Sequence, residues 1–92
     1  MGEARKTVTI INRRGLHARA SAKFVGLVAA LPPSVNVTVN KAPNSAAGGS
    51  ILGLMMLGAA KGDAIELVVE GENADSVLTE LAALVENGFG ED

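Results

Sequence analysis

His17 is the only histidine of the chain, and it stands in Gly15-Leu16-His17-Ala18-Arg19, where a strand-like run gives way to a helix-like one. An imidazole nitrogen can act as a nucleophile and form a covalent intermediate. The first turn of a helix presents backbone N–H groups that lack an intrahelical partner, and its aligned peptide dipoles add partial positive charge, so such a junction binds phosphate. Arg19, two residues further on, adds a forked cation suited to phosphate oxygens. One short motif thus combines an acceptor with a cradle. Helix-terminus interactions with an anion are worth only about 0.3 to 2 kcal/mol, a weak hold. The plain alternative is that a solitary histidine at such a junction is a helix N-cap or a surface residue.

A second motif is Ser50-Ile51-Leu52-Gly53-Leu54-Met55-Met56-Leu57-Gly58. Serine before two turns of apolar residues, with glycine after them, predicts an N-cap, a short helix and a C′ glycine. Capping alone explains the serine, since it stabilises a helix by about 0.5 to 2 kcal/mol over alanine. Two turns cannot bury every side: Leu54 and Leu57 share a face suited to the core, which leaves Ile51, Leu52 and Met55 for a partner.

The elements that position these motifs follow from periodicity. Thr7 to Ile11 is β-branched throughout and reads as a strand, with Val8 and Ile10 on one face. After the Arg13-Arg14-Gly15 turn, Ala18, Ala22, Val25 and Val28 or Ala29 recur at helical spacing until Leu31-Pro32-Pro33. Val35, Val37 and Val39 alternate with polar residues, as in a strand with one wet face. Lys41 to Gly49 predicts a hairpin turn and a short edge strand. Beyond the Ser50 helix, the Gly62-Asp63 turn introduces a strand over 64–71 with Ile65, Leu67 and Val69 on one face. Ala74, Val77, Leu78, Leu81, Leu84 and Val85 then form an amphipathic stripe ending at Asn87-Gly88. The order βαββαβα, with each strand apolar on one face, predicts an α+β fold: a four-stranded antiparallel sheet covered on one side by three helices.

The 92 residues predict one domain, 1–92. They contain no apolar stretch long enough to span a bilayer and no signal-peptide pattern, so a soluble, cytoplasmic protein without membrane insertion is expected. Without cysteine and with a single histidine, thiolate and histidine-rich metal sites are excluded, and no metal or cofactor is expected. The net charge of −2 hides a division: the eight basic residues precede residue 62 with Glu3 as the only carboxylate there, leaving +7 against −9 in the remainder. Five of those cations lie between Arg5 and Arg19, a basic field around His17 that would attract phosphorylated or acidic partners. A pI near 5.3 and 2% aromatics argue against nucleic acid.

These two motifs and their spacing make the chain resemble the HPr family, the histidine phosphocarriers of the bacterial phosphoenolpyruvate-dependent phosphotransferase system, over nearly its whole length. The resemblance implies an open-faced β-sandwich in which His17 receives a phosphoryl group on Nδ1 from enzyme I and passes it to an enzyme IIA domain. Arg19 and helix N-terminal amides, including that of Ala18, would hold the group. It implies a regulatory serine at Ser50, phosphorylated by an HPr kinase, and a partner-docking patch at Ile51, Leu52 and Met55. Ala20 departs from the family pattern, which commonly has proline there; its loss removes pre-organisation from the first helical turn but no donor. The Ile11-Asn12-Arg13-Arg14 approach and the Asn87 to Asp92 ending resemble the nitrogen-regulatory branch more than the sugar branch. The expected protein is a monomeric carrier rather than an enzyme with its own turnover. Two other readings compete with it: a regulatory docking module of the same fold, switched by phosphorylation, and an unrelated α/β domain that binds an anion at a helix end. The His17-Arg19 pair favours transfer, because docking alone would not require it.

Overall fold

The computed structural model describes residues 2–91, and their elements follow the predicted order. Strand β1 (Gly2–Thr9) leads to helix α1 (Ala18–Ala29), then to strands β2 (Asn36–Lys41) and β3 (Asn44–Ala47). Helix α2 (Ile51–Met56), strand β4 (Ala64–Gly71) and helix α3 (Ala74–Glu86) complete the fold, and a 3₁₀ turn (Gly88–Gly90) follows. The four strands form one antiparallel sheet in the order β1-β4-β2-β3.

The sheet's inner face is set by register. Ala4 lies opposite Val69 and Val69 opposite Val37, while Val8 faces Ile65 and Leu67 faces Val39. All of these are buried and join Leu54 and Leu57 around α2, and Val77, Leu78, Leu81 and Val85 of α3, in a single apolar cluster. Helix α3 lies against β1 and β4, and α1 packs on α2 and α3. Val68 points the other way yet is buried, because its cross-strand neighbours Arg5 and Thr38 flank it. Among the described residues no helix is long and apolar enough to cross a membrane.

Three details differ from the expectations. Strand β1 starts at Gly2 and stops at Thr9, so Ile11 lies outside it and is half-exposed. Ile10 leaves the strand proper but stays tied, its N–H donating to the Asp63 carbonyl and its carbonyl accepting from Gly62. The buried face of α1 is Ala20, Ser21 and Phe24, with Val25 and Val28 partly covered, whereas Ala18, Ala22 and Ala29 face out. The largest side chain weighs most in how the helix is turned: burying the Phe24 ring removes more apolar surface from water than burying any single alanine methyl. On α3, Ala82 is more deeply buried than Leu84. The edge strand predicted between Lys41 and Gly49 is present as β3, paired with β2 through Val39 and Ala46.

Candidate functional site

Asn12 to Leu16 bring the chain from the sheet to α1 along a path that only glycine permits at its turning point. Gly15 has φ +63°, and a Cβ there would run into the Ala59 carbonyl oxygen. The next N–H, that of Leu16, donates to that same carbonyl at 3.0 Å, and the Leu16 side chain is buried. Buried Asn12 spans the turn from inside, its Nδ2 donating to the Gly15 carbonyl at 2.8 Å. Ser21, buried in the first turns of α1, donates from Oγ to the Leu16 carbonyl at 3.2 Å. His17 is therefore delivered to the helix entrance by a loop pinned on both sides.

His17 is the N-cap of α1, in extended conformation, and its Nδ1 accepts the Arg19 N–H at 3.3 Å. The bland reading and the chemical one thus describe the same ring. On its far side, Nε2 lies 2.7 Å from Oε2 of Glu91. An ionised carboxylate only accepts, so Nε2 must carry the hydrogen, and Nδ1, which accepts from a backbone amide, must be the bare nitrogen. Two independent partners select one tautomer, with the nucleophilic lone pair on Nδ1 at the helix N-terminus.

An open cleft of about 420 Å³ surrounds the ring, lined by Arg13, Arg14, His17, Arg19, Lys23, Gly90 and Glu91. Among the described residues, four cations and one carboxylate line it. The field is smaller than the sequence expectation in one respect: Arg5 and Lys6 belong to β1 and are engaged by Glu3 and Glu66 and by Glu86, away from His17. Folding also interleaves the two halves of opposite charge, as Lys41 with Asp63 likewise illustrates. Of the predicted residues, the cleft gathers His17 and Arg19, whereas Ala18, the first residue of α1, does not line it.

Glu91 is the residue of the candidate site that sequence reasoning missed. The chain after α3 turns back at Gly88, Phe89 buries its ring in the core, and Glu91 arrives beside His17 from 74 positions away. Lys23 Nζ donates to the Phe89 carbonyl at 2.6 Å, and Asn12 Nδ2 donates to Glu91 Oε1 at 3.1 Å. Burial acts to raise the Glu91 carboxyl, but the hydrogen bonds from Asn12 and His17, with the charges of His17 and Lys23, outweigh it and hold the group below its ordinary value. An aromatic residue within an otherwise small and acidic ending was the one available signal.

Ser50, Ile51, Leu52 and Met55 belong to α2 and do not line the cleft. Ser50 caps that helix, Oγ accepting the Gly53 N–H at 2.9 Å. Leu54 and Leu57 turn inward, while Ile51 (41% exposed), Leu52 (68%) and Met55 (40%) face solvent together with Met56, the most exposed of the set at 75%.

The chain is similar to known proteins over nearly its whole length. Residues 4–87 match the family described as the PTS HPr component phosphorylation site. The phosphocarrier protein HPr of Pseudomonas aeruginosa is 48% identical over 85 residues, covering 91% of this chain and 92% of that protein. The phosphocarrier protein NPr of Shewanella violacea is 37% identical over 99% of this chain and 98% of its own length. The crystal structure of an HPr from Thermoanaerobacter tengcongensis superposes with a TM-score of 0.86 at 35% identity, covering 100% of this chain and 99% of that one. A helix-capping histidine with a bare Nδ1, set in a basic cleft on a βαββαβα fold and matched over nearly all its length, places this chain in the HPr family, the phosphocarrier proteins of the phosphotransferase system.

Proposed function

We propose that His17 is the residue through which this phosphocarrier works, accepting a phosphoryl group from enzyme I on Nδ1 and passing it to an enzyme IIA domain. The observation that carries this reading is the tautomer: Nδ1 is bare, directed at the first turn of α1 and open to a basic cleft. In an in-line transfer the Nδ1 lone pair forms the new bond to phosphorus as the bond to the donor's leaving atom breaks. The phosphoryl oxygens then lie against the amides of Ala18 and Arg19 and the Arg19 guanidinium, with Arg13, Arg14 and Lys23 contributing field. Most of the positioning comes from the partners, since an open cleft cannot enclose the reaction.

The exposed apolar side of α2 supports a docking role for Ile51, Leu52 and Met55, to which Met56 is added. Ser50, at the head of that helix, is the proposed regulatory phosphosite for an HPr kinase, where added charge would act on docking rather than on the fold. The whole chain would operate as one monomeric cytoplasmic unit that its partners phosphorylate and dephosphorylate. The test is intact mass and acid lability after incubation with phosphoenolpyruvate, Mg²⁺ and enzyme I. One acid-labile phosphoryl group on the parent and none on a His17→Ala variant is the expected result. Modification of neither, by an enzyme I active on another HPr, would refute it.

A further inference from the structure

The family match ends at residue 87, before the segment that carries Glu91. That segment is nonetheless built into the site. Its anchor, Phe89, is 1% exposed and sits in the left-handed region at φ 58°, a conformation unfavourable to an aromatic residue and held here by burial of the ring. Gly88 passes close to Ile11 and Asn12, and Lys23 of α1 clamps the Phe89 carbonyl. Asn12 ties the tail to the loop before His17 by donating from Nδ2 to both the Gly15 carbonyl and Glu91 Oε1. Its own Oδ1 is buried with no partner among the described residues. Keeping an orphaned acceptor in the interior costs free energy, and what that asparagine achieves in return is the joining of tail and loop. The contact between Glu91 and His17 is thus the end point of a chain of specific interactions from three elements.

We propose that Glu91 is a positioning residue for phosphoryl transfer, its carboxylate holding the Nε2 proton of His17 throughout the reaction. The inference rests on the reading of His17 as the phosphoryl acceptor. Before transfer, the contact fixes the ring so that the lone pair lies on Nδ1. When that lone pair becomes the P–N bond, the leaving group departs with the electrons of the bond it loses, Nε2 keeps its hydrogen, and the ring becomes an imidazolium. Glu91 is the carboxylate against that new positive charge; among the described residues the other charged groups lining the cleft, Arg13 and Arg14 from the loop and Arg19 and Lys23 from α1, are cations. Onward transfer runs the same steps backwards: the P–N bond electrons return to Nδ1, and a ring still protonated at Nε2 is the better leaving group.

The test uses the full chain with two substitutions, Glu91→Gln, which keeps shape and hydrogen-bonding capacity but removes the charge, and Glu91→Ala, which removes both. Each is compared with the parent for turnover and KM in phosphorylation by enzyme I, and by ¹⁵N NMR of the His17 ring in the phosphorylated protein. Expected is a fall in turnover of about tenfold in Glu91→Ala, the factor supplied by a charge-assisted hydrogen bond that strengthens in the transition state, with little change in KM. Glu91→Gln should lie between. The Nε2 resonance should report a stronger hydrogen bond to the ring in the parent than in either variant, a difference that a merely structural role would not produce. If the parent is phosphorylated at His17 and all three proteins match in turnover and ring spectrum, the role of Glu91 is refuted while the carrier reading stands. If the parent takes no phosphoryl group, it is the reading of His17 that fails.

Discussion

Ser50 offers the sharpest separation between a residue that holds structure and one that regulates. Its Oγ accepts the Gly53 N–H at 2.9 Å at the head of a helix of only six residues, where one cap satisfies a large share of the unpaired amides. Ser50→Ala leaves that partly buried donor without its partner and should cost about 1 kcal/mol. A chain of this length unfolds with an entropy of roughly 0.19 kcal/mol per kelvin, so the loss corresponds to a Tm lower by about 5 °C. Ser50→Asp keeps an acceptor at the cap and adds a negative charge to the N-terminal end of the dipole, so it should melt within about 2 °C of the parent. The assay is thermal unfolding by circular dichroism, run alongside phosphorylation by enzyme I. The expected pattern is crossed: alanine lowers Tm and transfers normally, whereas aspartate keeps Tm and transfers slowly because its charge lies beside the docking face. An unchanged Tm in Ser50→Ala would overturn the capping argument, and aspartate transferring as fast as serine would remove the regulatory one.

The neighbouring side chains of α2 should divide in the same manner. Leu54→Ala, from a residue 1% exposed, is expected to cost about 2 to 5 kcal/mol, while Met55→Ala changes stability by no more than about 0.5 kcal/mol yet weakens binding to enzyme I in calorimetry; a large drop in Tm for Met55→Ala would assign that side chain to the core. Gly15→Ala meets both the left-handed backbone and the Ala59 carbonyl, so a loss of more than about 2 kcal/mol with displaced His17 resonances is expected, and a stable variant with unmoved resonances would contradict the loop geometry. A carboxyl held below its ordinary value in the native state adds stability above that ordinary value and loses it as pH falls through the native one. The urea midpoints of the parent and Glu91→Gln should therefore differ at neutral pH and converge in acid below the ordinary carboxylate range; a constant gap would mean that the Glu91 charge plays no part.

Short-range pattern was enough to read most of the architecture. The stripe of α3, the alternation of β4 and the cap-to-glycine grammar of Ser50 to Gly58 are periodic within a few residues, and each appears where its spacing predicts. The Gly15 to Arg19 motif was legible for the same reason: the turn, the cap and the cation lie within five positions, so local geometry already places them together. What the tertiary structure decided is everything that depends on a distant neighbour. Helix α1 turned Ala20, Ser21 and Phe24 inward, leaving Val25 and Val28 of the predicted stripe partly covered and Ala18, Ala22 and Ala29 outside, because the buried face is set by what the helix packs against. Arg5 and Lys6 left the basic field once β1 placed them beside acidic residues of its own strand, β4 and α3. Glu91 reached His17 only because Phe89 has a core to enter, and no periodicity along a chain can encode a contact across 74 residues. Sequence alone determined which ring stands at the entrance of α1; packing decided which of its nitrogens carries the hydrogen.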